Sequence, residues 1–169
     1  LLGEFGVAAV KGIEKNNVMA CPKHFALNSI ENSRWVIDVS IDERTLREVY
    51  LPHFKKVIQK GKPASIMSAY NKVRGTYSGS NRELLTDILR NDWGFDGFVS
   101  TDWMYGIYDG IEAINAGLNV EMPWQDEYSY DIIEEGIKEG KIKIEQIDNL
   151  VYNSLRTRLK YAFSYDSIE

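Results

Sequence analysis

The 169-residue chain has one cysteine, Cys21, which excludes an intrachain disulfide and any thiolate metal cluster formed within the chain. Its two histidines, His24 and His53, are separated by a helical segment, so a zinc site is a poor fit. No apolar run approaches the roughly 20 residues of a membrane span, and the N-terminus does not read as a signal peptide. No basic block stands out either. Lys+Arg number 20 against Asp+Glu 25, a formal charge of -5, which argues against nucleic acid or an anionic membrane surface as partner. GxxxxGK(S/T) and GxGxxG runs that would cradle a nucleotide are missing. Neither a metal nor a cofactor is expected.

What is present is enough for one core: 44% of the residues are hydrophobic, so one domain or part of one is expected. The chain opens on Leu1-Leu2-Gly3-Glu4-Phe5-Gly6-Val7, which reads like the middle of a helix and suggests a fragment or processed piece. Val7, Val10 and Ile13 anchor a helix to about residue 15, ahead of a strand-like Val18-Met19-Ala20-Cys21 that Pro22 closes. After a polar loop and a short β-rich Val36-Ile37-Asp38-Val39, Ser40 and Glu43 have capping-box spacing for a helix carrying Leu46, Val49, Phe54, Val57 and Ile58. Pro52 bends that helix or begins a second one.

A buried-type strand follows at residues 64–69, then a loop rich in Gly, Ser and Asn to residue 81. Ser80 and Glu83 repeat the capping signal before Leu84, Leu85, Ile88 and Leu89. A third strand is expected at 97–100 and a fourth at Leu118-Asn119-Val120-Glu121-Met122, stopped by Pro123. Helices are expected near 108–115, 129–138 and 144–160. Such alternation means parallel strands with helical crossovers. The expected fold class is α/β: either a small open sheet, or about four units of a (β/α)8 TIM-type barrel completed by missing or separate chain. Polar residues after several strand ends, together with the abrupt Leu1, favour the barrel.

Those strand ends carry Lys23, His24 and Phe25, then Tyr70 and Asn71, then Asp102 and Trp103, with Glu121 in the fourth strand. In a parallel barrel the ends open on one face, where residues distant in sequence converge. Taken singly each has a plain structural reading: a surface lysine, a hydrogen-bonded core edge, a packed phenol. Together they suit a sugar, whose apolar ring face stacks on an indole such as Trp103 and whose hydroxyls take hydrogen bonds from Lys23 and His24. Asp102 would lie close enough to attack an anomeric carbon.

The sequence resembles glycoside hydrolase family 3, the β-glucosidases, β-xylosidases and related exo-acting enzymes. The resemblance is carried by Lys23-His24-Phe25, the run from Asp42 to Pro52, Ser65 to Asn71, Leu84 to Leu89, Trp93 to Trp103 and Ala116 to Pro123, in order and over nearly the whole chain. It implies that residues 1–169 are the C-terminal part of the family's N-terminal barrel. It further implies that Asp102 is the nucleophile of a retaining β-glycosidase, with Lys23 and His24 on sugar hydroxyls, Tyr70 near the nucleophile, Met67 lining the pocket and Trp103 following as in the family. Arg74 stands where asparagine is usual and is expected to alter the sugar-binding rim, and Thr101 stands where serine is commoner.

Retention needs a second carboxyl about 5 to 5.5 Å from the first. In the β-glucosidase branch it comes from a following α/β domain. The N-acetylglucosaminidase branch keeps an Asp-x-His pair that Ala26 to Trp35 lacks. Glu31 reads as loop support, and Glu121 as an acceptor that orients its neighbours. The expected partners are therefore a β-linked glucoside or xyloside and the remaining barrel and α/β domain, in cis or as another chain. The alternative is a non-catalytic carbohydrate-binding or structural remnant of such a barrel.

Overall fold

The computed structural model describes residues 1–165. Helix α1 (Leu2–Glu14) buries Gly3, Val7 and Val10, a spacing that lays one stripe against the next helical layer. That layer is almost continuous: α2 (Glu43–Thr45), a π-helical turn (Leu46–Tyr50), α3 (Pro52–Lys56) and a second π-helical turn (Val57–Gly61). Pro52 begins α3, where its missing N–H goes unneeded. The N-terminal cap is Asp42, not Ser40, whose position lies further from the first turn. Asp42 Oδ1 accepts from the Thr45 amide at 2.9 Å and Oδ2 from the Thr45 hydroxyl at 2.6 Å.

The strands are short: β1 (Asp38–Val39), β2 (Ser65–Met67), β3 (Lys72–Val73), β4 (Thr76–Tyr77) and β5 (Phe98–Ser100). β2 and β5 pair in parallel, with Ile66 opposite Val99 and Met67 opposite Ser100. Single parallel bridges extend this pair on both sides, Phe25 to Ser68 and Ser100 to Val120. The Ser65 and Met67 amides also reach the carbonyls of Ala20 (3.2 Å) and Pro22 (3.1 Å), and the Thr101 amide reaches Val120 at 2.9 Å. The order across the sheet is thus 20–25, β2, β5, 119–122.

The outer two of these segments are extended backbone rather than the full strands their sequences suggest. Pro22 has no N–H to donate. At the other edge the Asn119 side-chain oxygen, not a backbone carbonyl, takes the Val99 amide at 2.7 Å. A separate three-stranded sheet joins β1 in parallel to β3, and β3 to β4 as a hairpin, in a stretch that reads as loop in the sequence. Its two-residue turn is Arg74-Gly75, both with positive φ (53° and 85°), the conformation whose twist matches the flanking strands.

A π-helical segment, Glu83–Asp92, buries Leu84, Leu85, Ile88 and Leu89 and is capped by Asn81, which accepts from the Leu84 amide at 3.1 Å. Helix α4 (Gly110–Ala116) is capped by Asp109 and closed by Gly117 at φ 97°. Helices α5 (Tyr130–Lys138) and α6 (Ile144–Tyr165) follow. Among the described residues no helix is long and apolar enough to cross a membrane.

The core lies between the parallel segments, through Phe25, Ile66, Val99 and Leu118, and the helices, through Leu46, Leu51, Phe54, Leu85, Ile88 and Leu89. Each such side chain contributes about 1.5–3 kcal/mol on burial. Phe25 meets Phe54 and Trp93 edge to face, at ring-centroid distances of 5.2 and 5.8 Å. Partly buried Arg90 reaches the Gly97 carbonyl at 3.0 Å and Asn119 Oδ1 at 2.7 Å, tying the approach to β5 to the segment beside it. Burial lowers its pKa to about 10.

The alternation of strand side chains sends Ile66 and Val99 toward the helices and Met67 and Ser100 to the opposite face. The fold is mixed α/β, and no closed barrel forms among the described residues.

Candidate active site

Asp102 stands two residues past β5 and is 7% exposed. Its Oδ1 accepts from the Trp103 amide at 2.7 Å, and its Oδ2 lies 3.2 Å from His24 Nε2. The adjoining Phe25 is wholly buried and bridged to Ser68, so the core anchors the imidazole through its backbone neighbour. Burial lowers the His24 pKa below its ordinary value, and Lys23 adds to that, while the Asp102 charge works in the opposite sense. The neutral imidazole is thus favoured more than in a free histidine, and its Nε2 faces the carboxylate.

Tyr70 completes the group from the end of the β2 segment. Its hydroxyl donates to the Trp103 carbonyl at 2.5 Å. Its pKa is raised, first by burial and then by the charge of Asp102 and a hydrogen bond to it. Thr101, fully buried, accepts the Met122 amide on its hydroxyl at 2.9 Å and so fixes the backbone one residue before the carboxylate. The Trp103 ring is about half exposed, Lys23 is exposed beside His24, and Met67 is partly buried on the strand face opposite the helices. His24, Tyr70, Asp102 and the Trp103 backbone thus form one connected group. Lys23 borders it, and Met67 shares its face of the sheet.

Arg34 belongs here too, although the polar loop gave it no role in the sequence. Its guanidinium lies over the Tyr70 ring at 4.6 Å and the Trp35 ring at 4.8 Å, and pairs with Glu31 at 2.5 Å. The Glu31–Arg34 spacing beside an indole was the available signal. Arg74, expected to shape the sugar rim, instead reaches the Ile41 carbonyl (3.0 Å), Glu43 (2.9 Å) and Glu83 (2.6 Å), strapping the hairpin to two helices. Both oxygens of Glu121 are taken by backbone amides, of Glu127 at 3.1 Å and of Tyr128 at 2.8 Å. Clefts of about 620 Å³ beside Arg74 and Glu112 and about 450 Å³ beside Leu27 and Tyr50 are lined by other residues.

A buried carboxylate with hydrogen-bond donors and exposed rings around it, mounted where parallel strands end, defines the class: an α/β domain with a site centred on one carboxylate. Comparison with known proteins supplies the particular family. The profile of the glycosyl hydrolase family 3 N terminal domain matches residues 1–156, and the chain belongs to that family. It is 39% identical over 163 residues to thermostable beta-glucosidase B of Acetivibrio thermocellus, covering 96% of this chain and 21% of that protein. It is 37% identical over 169 residues to an exo-alpha-(1->6)-L-arabinopyranosidase of Bifidobacterium breve, covering 99% of this chain and 22% of that protein. Beta-glucosidase 3B from Thermotoga neapolitana, solved in complex with alpha-D-glucose, superposes with a TM-score of 0.86 at 41% identity, over 92% of this chain and 22% of that one. The chain spans about a fifth of the length of these relatives.

Proposed function

We propose that this chain supplies the nucleophile, Asp102, for retaining hydrolysis of terminal β-D-glucosides. In this reading it forms about four units of a (β/α)8 barrel that further chain completes. The observation that carries the proposal is the clamped carboxylate: Oδ1 held by the Trp103 amide, Oδ2 facing His24 at 3.2 Å. A nucleophile fixed in this way meets its target without reorienting.

The Asp102 oxygen attacks the anomeric carbon as the bond to the leaving oxygen breaks, and that oxygen takes a proton from an acid. The conjugate base then removes a proton from water, whose oxygen displaces Asp102 and restores the original configuration. We assign the acid to chain outside these residues, because Glu121 is occupied by two amides and Glu31 by Arg34. These 169 residues alone are then inactive. Lys23, His24 and Arg34 donate to sugar hydroxyls, Trp103 offers a stacking face, and Tyr70 and Met67 line the site.

The test is a fluorinated glucoside that accumulates the covalent intermediate on the complete enzyme, followed by mass spectrometry of the peptide bearing Asp102. The expected results are a glycosyl adduct on Asp102 and a loss of turnover of about a thousandfold or more in Asp102→Gly. An adduct elsewhere, or normal turnover by the variant, refutes the proposal and favours the non-catalytic remnant. Because one relative is named for an arabinopyranoside, the substrate panel should pair nitrophenyl β-glucoside and β-xyloside with an arabinopyranoside.

A further inference from the structure

The loop from Trp103 to Asp109 exposes the rings of Trp103, Tyr105 and Tyr108 but buries Gly106. A Cβ at Gly106 would stand 2.6 Å from Thr101 Cβ and 2.7 and 3.0 Å from the backbone oxygen and nitrogen of Asp102. The φ of Gly106 is not positive, so space rather than backbone conformation demands glycine here. The same holds one layer further back. A Cβ at buried Gly79, in the turn Ser78–Ser80, would run into the Gly106 carbonyl oxygen and stand 2.6 Å from Ile107 Cγ2. Backbone at 79, 106 and 102 is thus stacked in direct contact, with the nucleophile at one end.

Neither outer layer has room to retreat. Ile107 is 4% exposed, Asp109 Oδ1 takes the Glu112 amide at 2.9 Å, and the Tyr70 hydroxyl holds the Trp103 carbonyl. Tyr108 lies on Tyr77 with ring centroids 4.4 Å apart, which joins the loop to the β3–β4 hairpin. Met104 keeps a φ of 70°, which a non-glycine residue holds only where its surroundings impose it. Behind the loop, the Ser78 amide and hydroxyl both donate to the Asn71 carbonyl, at 3.0 and 2.8 Å. A close-packed interior passes displacement on instead of absorbing it. Pressure at 79 or 106 therefore reaches the Asp102 backbone, which carries the carboxylate and leads directly into the amide that holds Oδ1.

We propose that Gly106, backed by Gly79, is a positioning residue for the nucleophile: the side-chain-free stack sets the depth at which Asp102 stands beneath the sugar. This rests on Asp102 being the nucleophile. Neither glycine touches substrate. Lys23 and His24, the donors suited to the sugar hydroxyls, come from a different segment, ahead of β2, so sugar affinity and attack are set by separate parts of the chain.

The complete enzyme is treated with the fluorinated glucoside, whose trapping rate reports attack by Asp102, and inhibition by glucose reports affinity for the sugar. Both are read at a temperature where thermal unfolding shows each variant folded. Gly106→Ala is expected to slow trapping about a hundredfold and Gly79→Ala about tenfold, with glucose inhibition within about threefold of wild type. Should Gly106→Ala fail to fold, Gly79→Ala decides, because its Cβ meets Gly106 and Ile107 and not Asp102. Gly6→Ala controls for tight packing alone, since its Cβ presses on Val57 rather than on the loop, and it should trap at the wild-type rate. Trapping at the wild-type rate by folded Gly79→Ala, or a loss of glucose affinity as large as the loss of rate, overturns the inference while leaving the nucleophile assignment intact. A loss in Gly6→Ala equal to that in Gly79→Ala overturns it in favour of general loosening. A wild-type adduct on a residue other than Asp102 overturns the nucleophile reading, and the positioning role with it.

Discussion

Replacing Glu121 by Gln distinguishes a structural carboxylate from a proton donor, because the two roles call for opposite patterns of damage. Glu121 is 9% exposed and accepts two backbone amides at 2.8 and 3.1 Å, holding the chain from Glu127 to Tyr128 beneath α5. A hydrogen bond to a charged acceptor contributes about 1.5–3 kcal/mol. Glutamine retains one acceptor oxygen but turns an amide NH2 toward the other N–H, so one such bond is lost and a donor is left facing a donor. The expected cost is about 2 kcal/mol, and about 3 kcal/mol for Glu121→Ala, which loses both bonds. For a unit of 150–250 residues each kcal/mol lowers the unfolding midpoint by roughly 2–4 °C, and by less in a longer cooperative chain, so Glu121→Gln should fall by roughly 4–8 °C at most. The assay is thermal unfolding of the complete enzyme, followed by tryptophan fluorescence, beside turnover of aryl and alkyl glucosides at a temperature where both proteins are folded. Turnover of both substrates should fall together and only modestly. A variant of unchanged stability that fails on alkyl glucosides, and whose turnover of an activated aryl glucoside is raised by azide, would identify Glu121 as the acid and refute this reasoning.

Two further outcomes follow from the packing and the charges. The His24 pKa lies below 6.5 in the folded protein, chiefly through burial, and burial lowers His53 as well. The unfolded chain therefore takes up these protons first on acidification, so the stability they confer is complete above about pH 6.5 and declines below it. Denaturant titrations between about pH 8 and about pH 5 should show His24→Gln losing less stability on acidification than wild type, and equal losses would remove His24 from the account. At Gly97 any Cβ would run into the Ala64 carbonyl, beside the register of β2 on β5. Gly97→Ala should destabilise by about 1–3 kcal/mol in the same unfolding assay, and a neutral effect would show that the strands slide apart freely.

Much of this molecule is written in local sequence. The strands at 65–67 and 98–100 and the helix starting at Gly110 follow from apolar runs bounded by Gly and Pro or opened by Asp109. Caps were less legible, since Ser40 and Ser80 offered the right spacing while Asp42 and Asn81 had the better reach to the first turn. The β3–β4 hairpin was hidden because Arg74 is an unexpected residue at positive φ, and its conformation is secured by ion pairs to Glu43 and Glu83 distant in sequence. Of the site, Asp102 and His24 could be named because each follows a strand-like run. Arg34 escaped notice because its value comes from stacking on Tyr70, 36 residues away in the chain, a contact that no local pattern encodes.

The two oxygens of Asp102 are not equivalent. Oδ1 takes a backbone amide that is fixed in place, whereas Oδ2 faces the side chain of His24. In the proposed mechanism an entering sugar hydroxyl takes the place of Oδ2 opposite the imidazole as the anomeric carbon approaches that oxygen. In that reading the side chain that faces the carboxylate at rest is also the one that receives the sugar.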